Sequence, residues 1–191
     1  MKRKIIVCVL LFVAVISAAY AAEGKKALMV IASQDFRDEE LLKPKEILEN
    51  KGVKVTIASS SLDTATGMLG AKVKPDVLIK DVNVNDFDAV IFVGGTGAAE
   101  YFNNPVALKI AQDAYNRGKL VGAICIAPRV LSEAGVLKGK KATVYSTEAK
   151  ALKAKGAIYT GKDVEVDGKV VTASGPHAAE QFGKTIVKLL K

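Results

Sequence analysis

The chain has 191 residues, half of them hydrophobic, and 28 Lys and Arg against 20 Asp and Glu give it a net charge of +8 at pH 7. That length and apolar content are enough for one domain with a real core, and they exclude a disordered or low-complexity chain. The lysines are scattered over helix faces and turns, with no aromatic interleaving and no block of five, which argues for a solvated surface and against a nucleic-acid partner.

The first stretch, MKRKIIVCVLLFVAVISAAYAAEG, has a basic start at Lys2, Arg3 and Lys4 and an unbroken apolar run from Ile5 to Ile16. Ala19-Tyr20-Ala21 then supplies an A-x-A cleavage signal. The run is shorter than the roughly 20 residues of a spanning helix. The expectation is a secretory leader over residues 1–21 and a single α/β domain over 22–191. An uncleaved anchor is the alternative. Cleavage places the mature chain in the periplasm or outside the cell, with no stable membrane association. It removes three of the positive charges, leaving +5, and takes Cys8 with it. Cys125 then remains as a lone thiol that can form no internal disulfide in a compartment that would permit one.

Lys25 to Ala32 (KKALMVIA) has the apolar run of a buried strand. A loop and helix follow over residues 33–52, with Ser33, Asp35 and Asp38 available as caps and Gly52 as the stop. Lys54 to Ser59 is the second strand, and strand, helix, strand at this spacing predicts a parallel pair. The turn-rich segment up to Asp88 reads as an excursion of small strands. Ala89 to Gly95 (AVIFVGG) is a buried strand running into a glycine pair, followed by a loop and a helix with Pro105 in its first turn.

KLVGAI is the next strand, and APRVLSEAGVL the helix after it, so Cys125 falls at the corner between them. Small residues at Gly122, Ala123 and Ala127 permit close backbone approach there. Such a nucleophile elbow exposes a reactive side chain and leaves backbone N–H groups free at a helix start, which favours a thiolate. The alternative is a small buried hydrophobe. KKATVYS predicts a further strand, EAKALKAKG a short helix, VEVDGKVVTAS a hairpin turning at Asp167-Gly168, and GPHAAEQFGKTIVKLLK the closing helix. A doubly wound sheet binds its ligands beyond the carboxyl ends of its strands, where the loop after Ala32, Gly94-Gly95 and Cys125 converge. The glycine pair is either an oxyanion-holding nest or a plain tight turn.

Taken together, DEELLKP, FVGG, AICIAP and the late SGP resemble the ThiJ/PfpI superfamily over nearly all of the chain from Lys25. The resemblance implies a flavodoxin-like α/β sandwich, mostly parallel with helices on both faces, that forms a homodimer. It also implies Cys125 as nucleophile with Glu40 against it, and the backbone of Gly95 and Ile126 as oxyanion donors. A carboxylate beside the sulfur would raise the thiol pKa, so a useful Glu40 must be mostly protonated. The protease-like branch carries histidine where Ile126 stands and glutamate where Arg37 stands, which argues against peptide hydrolysis. His177, the only histidine, has two readings: a proton shuttle reaching the pocket, or a cap on the last helix. Tyr145 borders the same cleft in relatives and could add a hydroxyl.

The function expected is a cysteine-dependent enzyme acting on small reactive carbonyls or their early protein adducts, of glyoxalase or deglycase type. No cofactor is required, and one histidine with one cysteine makes a poor metal set. A redox-responsive or chaperone-like protein, with Cys125 oxidised to a sulfinate, is the non-enzymatic alternative. A protease or amidase comes third.

Overall fold

The computed structural model describes residue 22 and residues 24–191; the expected leader, with Cys8, lies outside the described residues. The apolar runs form a seven-stranded sheet. Its central strands are β1 (Lys26–Val30), β7 (Ala89–Phe92) and β8 (Leu120–Ile124). β3 (Lys54–Ser59) and the short β6 (Val77–Leu78) extend it on one side, β12 (Val170–Ala173) and β11 (Val164–Asp167) on the other. All pairings are parallel except that of β11 with β12, which is the expected hairpin.

Strands covered on both faces need apolar residues at every position, which is what ALMV, AVIF and LVGAI provide. Successive side chains alternate between two cores. Leu28, Val30, Val90, Phe92 and Val121 face one, closed by α2 (Pro105–Asn116) and α3 (Pro128–Glu133). Met29, Ile31, Ile91 and Ile124 face the other, under α1 (Asp38–Glu49) and α5 (Ala179–Leu189). The fold is the flavodoxin-like α/β class expected. Helices α1 and α5 touch where Gly183 faces Pro44; a Cβ on Gly183 would lie 2.9 Å from the Pro44 Cα.

Several boundaries differ from expectation. None of Ser33, Asp35 and Asp38 caps α1: its N-cap is Arg37, without a side-chain bond, and residues 34–36 form a short strand β2 (Gln34–Phe36). Helix α3 is shorter than the apolar pattern suggests. Gly135 takes φ 77°, and the N–H groups of Gly135 and Val136 donate to Ser132 and Leu131, closing the helix in a Schellman-type turn. The excursion supplies β4 (Ala65–Gly67), which pairs with β2, and β5 (Lys72–Val73), which pairs with β4, in a small separate sheet. KKATVYS contributes only β9 (Lys141–Ala142), paired with β10 (Ile158–Tyr159), ahead of α4 (Ala149–Ala154). Parallel pairing puts the carboxyl ends of β1, β7, β8 and β12 along one edge. The chain's chemistry gathers there.

Candidate active site

Cys125 follows β8 directly and holds φ 62°, a left-handed conformation rare outside glycine. Its N–H donates to the Ala173 carbonyl at 2.9 Å, and its carbonyl accepts from the Tyr145 N–H at 2.8 Å. The corner is thus pinned to β12 on one side and to the 145–148 turn on the other. Such local strain, about 1–2 kcal/mol for a non-glycine residue, persists where the surroundings over-determine it. The sulfur faces the backbone N–H groups of Gly95 and Ile126, both of which favour its charged form. The structure therefore brings together these two donors and the thiol.

Glu40 lies in the first turn of α1 and is fully buried. Both carboxyl oxygens are buried without a partner in ordinary hydrogen-bond geometry, although Cys125 and the Gly94 backbone are near enough to affect its charge. Gly94 makes this proximity possible. A Cβ there would collide with Glu40 Oε2, lie 2.5 Å from Cys125 Cβ, and lie 2.7 Å from the Ile124 carbonyl oxygen. Gly95 has φ 97°, and a side chain on it would run into the backbone of Asp35 to Arg37. Both glycines are demanded by space, which goes beyond a plain tight turn.

Burial pushes the Glu40 carboxyl up from 4.5 to about 8, so it keeps its proton at neutral pH. Burial also pushes the Cys125 thiol up to about 12, with the negative charge of ionised Glu40 adding to the rise and the Gly95 and Ile126 amides opposing it. The low-pKa thiolate expected from the elbow alone is therefore not the resting state. The elbow amides are present, but desolvation outweighs them. While Glu40 stays protonated its charge does not oppose the thiolate, and the pair titrates as a unit.

A cleft of about 510 Å³ opens above Cys125. Glu40, Gly95 and Ile126 form its floor with the sulfur, and Tyr145, Thr147 and Pro176 form part of its wall. Arg37, Met68 and Thr96 also line it, and no motif or spacing marks Met68 or Thr96 as site residues. Met68 arrives through Asp38, whose buried carboxylate accepts from Leu69 N–H at 2.8 Å and Ala71 N–H at 2.7 Å. Those bonds lash the turn after β4 to the start of α1 and hold the Asp38 carboxyl below its ordinary value against the opposing effect of burial.

His177 is not among the lining residues. Its ring is 62% exposed, and Nε2 lies 3.0 Å from Asp163 Oδ1 and 3.3 Å from Ser174 Oγ. Both partners share one nitrogen, so the three form a surface cluster that cannot relay a proton as a triad does. It does not cap α5 either; the residue before that helix is Ala178. Among the described residues there is no group of three side chains suited to a metal ion.

The sequence matches the model of the DJ-1/PfpI family over residues 25–189. An uncharacterised protein of Methanocaldococcus jannaschii is 47% identical over 172 residues, spanning 88% of this chain and 84% of that protein. The Deglycase PfpI of Pyrococcus furiosus is 34% identical over 164 residues, spanning 86% of this chain and 99% of its own. The crystal structure of a ThiJ/PfpI domain protein from Brachyspira murdochii superposes with a TM-score of 0.85 at 31% identity, covering 87% of this chain and 98% of that one.

Proposed function

The chain belongs to the DJ-1/PfpI family, and on that premise we propose that it is a cysteine-dependent, glyoxalase- or deglycase-type enzyme that needs no cofactor. Its substrates are small 2-oxoaldehydes such as methylglyoxal and their early adducts on proteins. The observation that carries this reading is the fully buried carboxyl of Glu40 beside Cys125, both lining an open cleft. The name of the Pyrococcus furiosus relative, a deglycase, supports it.

The sulfur of Cys125 adds to the aldehyde carbon, and the thiol proton passes by way of Glu40 to the carbonyl oxygen, giving a hemithioacetal. The Gly95 and Ile126 N–H groups donate to the oxygen as charge develops on it. In its ionised form Glu40 then takes the proton from the former aldehyde carbon and returns it to the neighbouring carbon, while the hemithioacetal hydroxyl proton moves to the neighbouring carbonyl oxygen, leaving a thioester of the 2-hydroxy acid. Water cleaves the thioester, releasing the acid and restoring the thiol. A group titrating near 8 has both forms within reach at neutral pH, which suits a residue that must accept and return a proton. Peptide hydrolysis fits poorly: Ile126 offers no base, and His177 points its bonds elsewhere.

The test is lactate release from methylglyoxal by the wild-type chain and by Cys125→Ser. Turnover in the first and background in the second is the expected result; equal rates would remove the cysteine from the mechanism. Two further proposals rest on the sequence and the family. Export with loss of residues 1–21 is checked by the mass of the protein from a secreting host, and a homodimer by sedimentation.

A further inference from the structure

Arg37 is the one cationic side chain lining the cleft, and its guanidinium is only half engaged. Nε donates to Glu39 Oε2 at 2.8 Å and Nη2 to Glu39 Oε1 at 3.2 Å, a bidentate pair along one edge. A guanidinium carries five N–H donors, so the Nη1–Nη2 end keeps a parallel pair with no protein partner among the described residues. That fork has the spacing a carboxylate accepts. Glu39, which does not line the cleft, grips the Nε–Nη2 edge and so removes rotamer freedom that binding would otherwise have to remove. The only acid in the lining is Glu40, which burial keeps neutral at pH 7. The rest of the lining is uncharged. The net positive charge, +8 for the whole chain and +5 without residues 1–21, also draws anions toward the molecule.

The geometry points to a cleft that selects carbonyl compounds bearing a carboxylate, which docks on the free end of Arg37 while the carbonyl meets Cys125. This deepens the reading of Cys125 as the reacting thiol and rests on it. It names Arg37 as the specificity-determining residue, in a position the notional floor of the site alone would not single out. Neutral 2-oxoaldehydes fit the floor but leave the fork unused.

Two measurements test it, one of which does not depend on carbonyl chemistry. Iodoacetate and iodoacetamide differ chiefly by carboxylate against amide, so the ratio of their rates at Cys125 cancels any change in thiol acidity. Arg37→Gln should lower the iodoacetate-to-iodoacetamide ratio about tenfold, Arg37→Lys should keep part of it, and 0.5 M salt should reduce the wild-type ratio. The second measurement is calorimetric titration of glyoxylate into Cys125→Ser, where no hemithioacetal forms, with and without Arg37→Gln. About tenfold weaker binding on loss of the arginine supports the proposal. Equal rate ratios in wild type and Arg37→Gln, or equal glyoxylate affinity in the two Cys125→Ser chains, would overturn it. Absence of lactate release from methylglyoxal together with a preserved Arg37 effect would instead sink the enzymatic reading and leave the anion site standing.

Discussion

Two sets of chemistry-bearing side chains share the edge formed by the strand ends, and they differ in nearly every physical respect. Glu40 and Cys125 are buried, and the carboxyl oxygens of Glu40 lack partners. His177, Asp163 and Ser174 stand in solvent and satisfy one another at 3.0 and 3.3 Å. The residue types in the second set read more like a catalytic triad than those in the first. Yet water screens and solvates exposed groups, so the pairings among them contribute little. A buried carboxyl, by contrast, is held protonated by desolvation beside the sulfur. Burial next to a thiol and under a cleft sets Glu40 apart from the exposed cluster.

The comparison breaks most readily at Glu40. Glu40→Gln keeps the shape and a hydrogen-bond donor but cannot transfer a proton, so methylglyoxal turnover should fall by roughly 10²–10⁴-fold. Alkylation of Cys125 should stay within about tenfold, equivalent to 1.4 kcal/mol. Turnover that survives this substitution would mean that the carboxyl is a packing residue.

The same carboxyl should make stability depend on pH. Its pKa is raised in the folded state, from 4.5 to about 8. Between these values the unfolded chain has released the proton while the folded one retains it, so the folded state binds more protons and stability falls as pH rises through that window. The full shift would correspond to roughly 3–5 kcal/mol, nearly all of it expressed by pH 8. Urea unfolding at pH 5 and pH 8.5 should show wild type losing stability relative to Glu40→Gln, which has nothing to titrate. Parallel pH profiles for the two proteins would contradict the buried, protonated state.

Gly94 sharpens the comparison from the side of space. A methyl group there meets Glu40, Cys125 Cβ and the Ile124 carbonyl at once, and neither backbone nor β-carbon can swing away. Gly94→Ala should destabilise the protein by about 1–3 kcal/mol, as overpacking does, and should separate thiol from carboxyl. A thermal or urea midpoint unchanged from wild type would show that this corner is looser than its contacts imply.

Much of the fold is written in plain periodicity. ALMV, AVIF and LVGAI cannot be anything but buried parallel strands once short connections and helices separate them, and the order of elements follows. The site was legible where local backbone dictates it: Cys125 at a strand-to-helix corner, Gly95 after AVIFVG, Glu40 in the first turn of an amphipathic helix. What did not show is what arises only from distant chain segments meeting. Met68 reaches the cleft because Asp38 accepts two amides from the turn after β4, and no spacing in the sequence records that. Arg37 was visible only as a substitution, because its free edge depends on Glu39 taking the other. The thiol differs from expectation for the same reason. A corner motif predicts the two amides, whereas the burial that outweighs them is a property of the whole assembled edge.

The smallest expected effect is at His177, and it tests the exposed side of the comparison. With Nε2 held between Asp163 and Ser174 and the ring in solvent, removing the imidazole deletes one weak surface pair and no part of the cleft floor. Such pairs contribute about 0–1 kcal/mol. His177→Gln should therefore shift stability by less than about 1 kcal/mol and leave methylglyoxal turnover within about threefold of wild type. Its pH–rate profile should keep the limb set by the Glu40–Cys125 pair. The cluster does touch the site indirectly, because Ser174 and His177 flank Pro176, which lines the cleft wall. A small rise in KM with kcat unchanged is thus compatible with a loosened wall. A drop in kcat of a hundredfold or more, with KM unchanged, would place the imidazole in proton transfer after all and would require the ring to swing from Asp163 into the cleft during turnover.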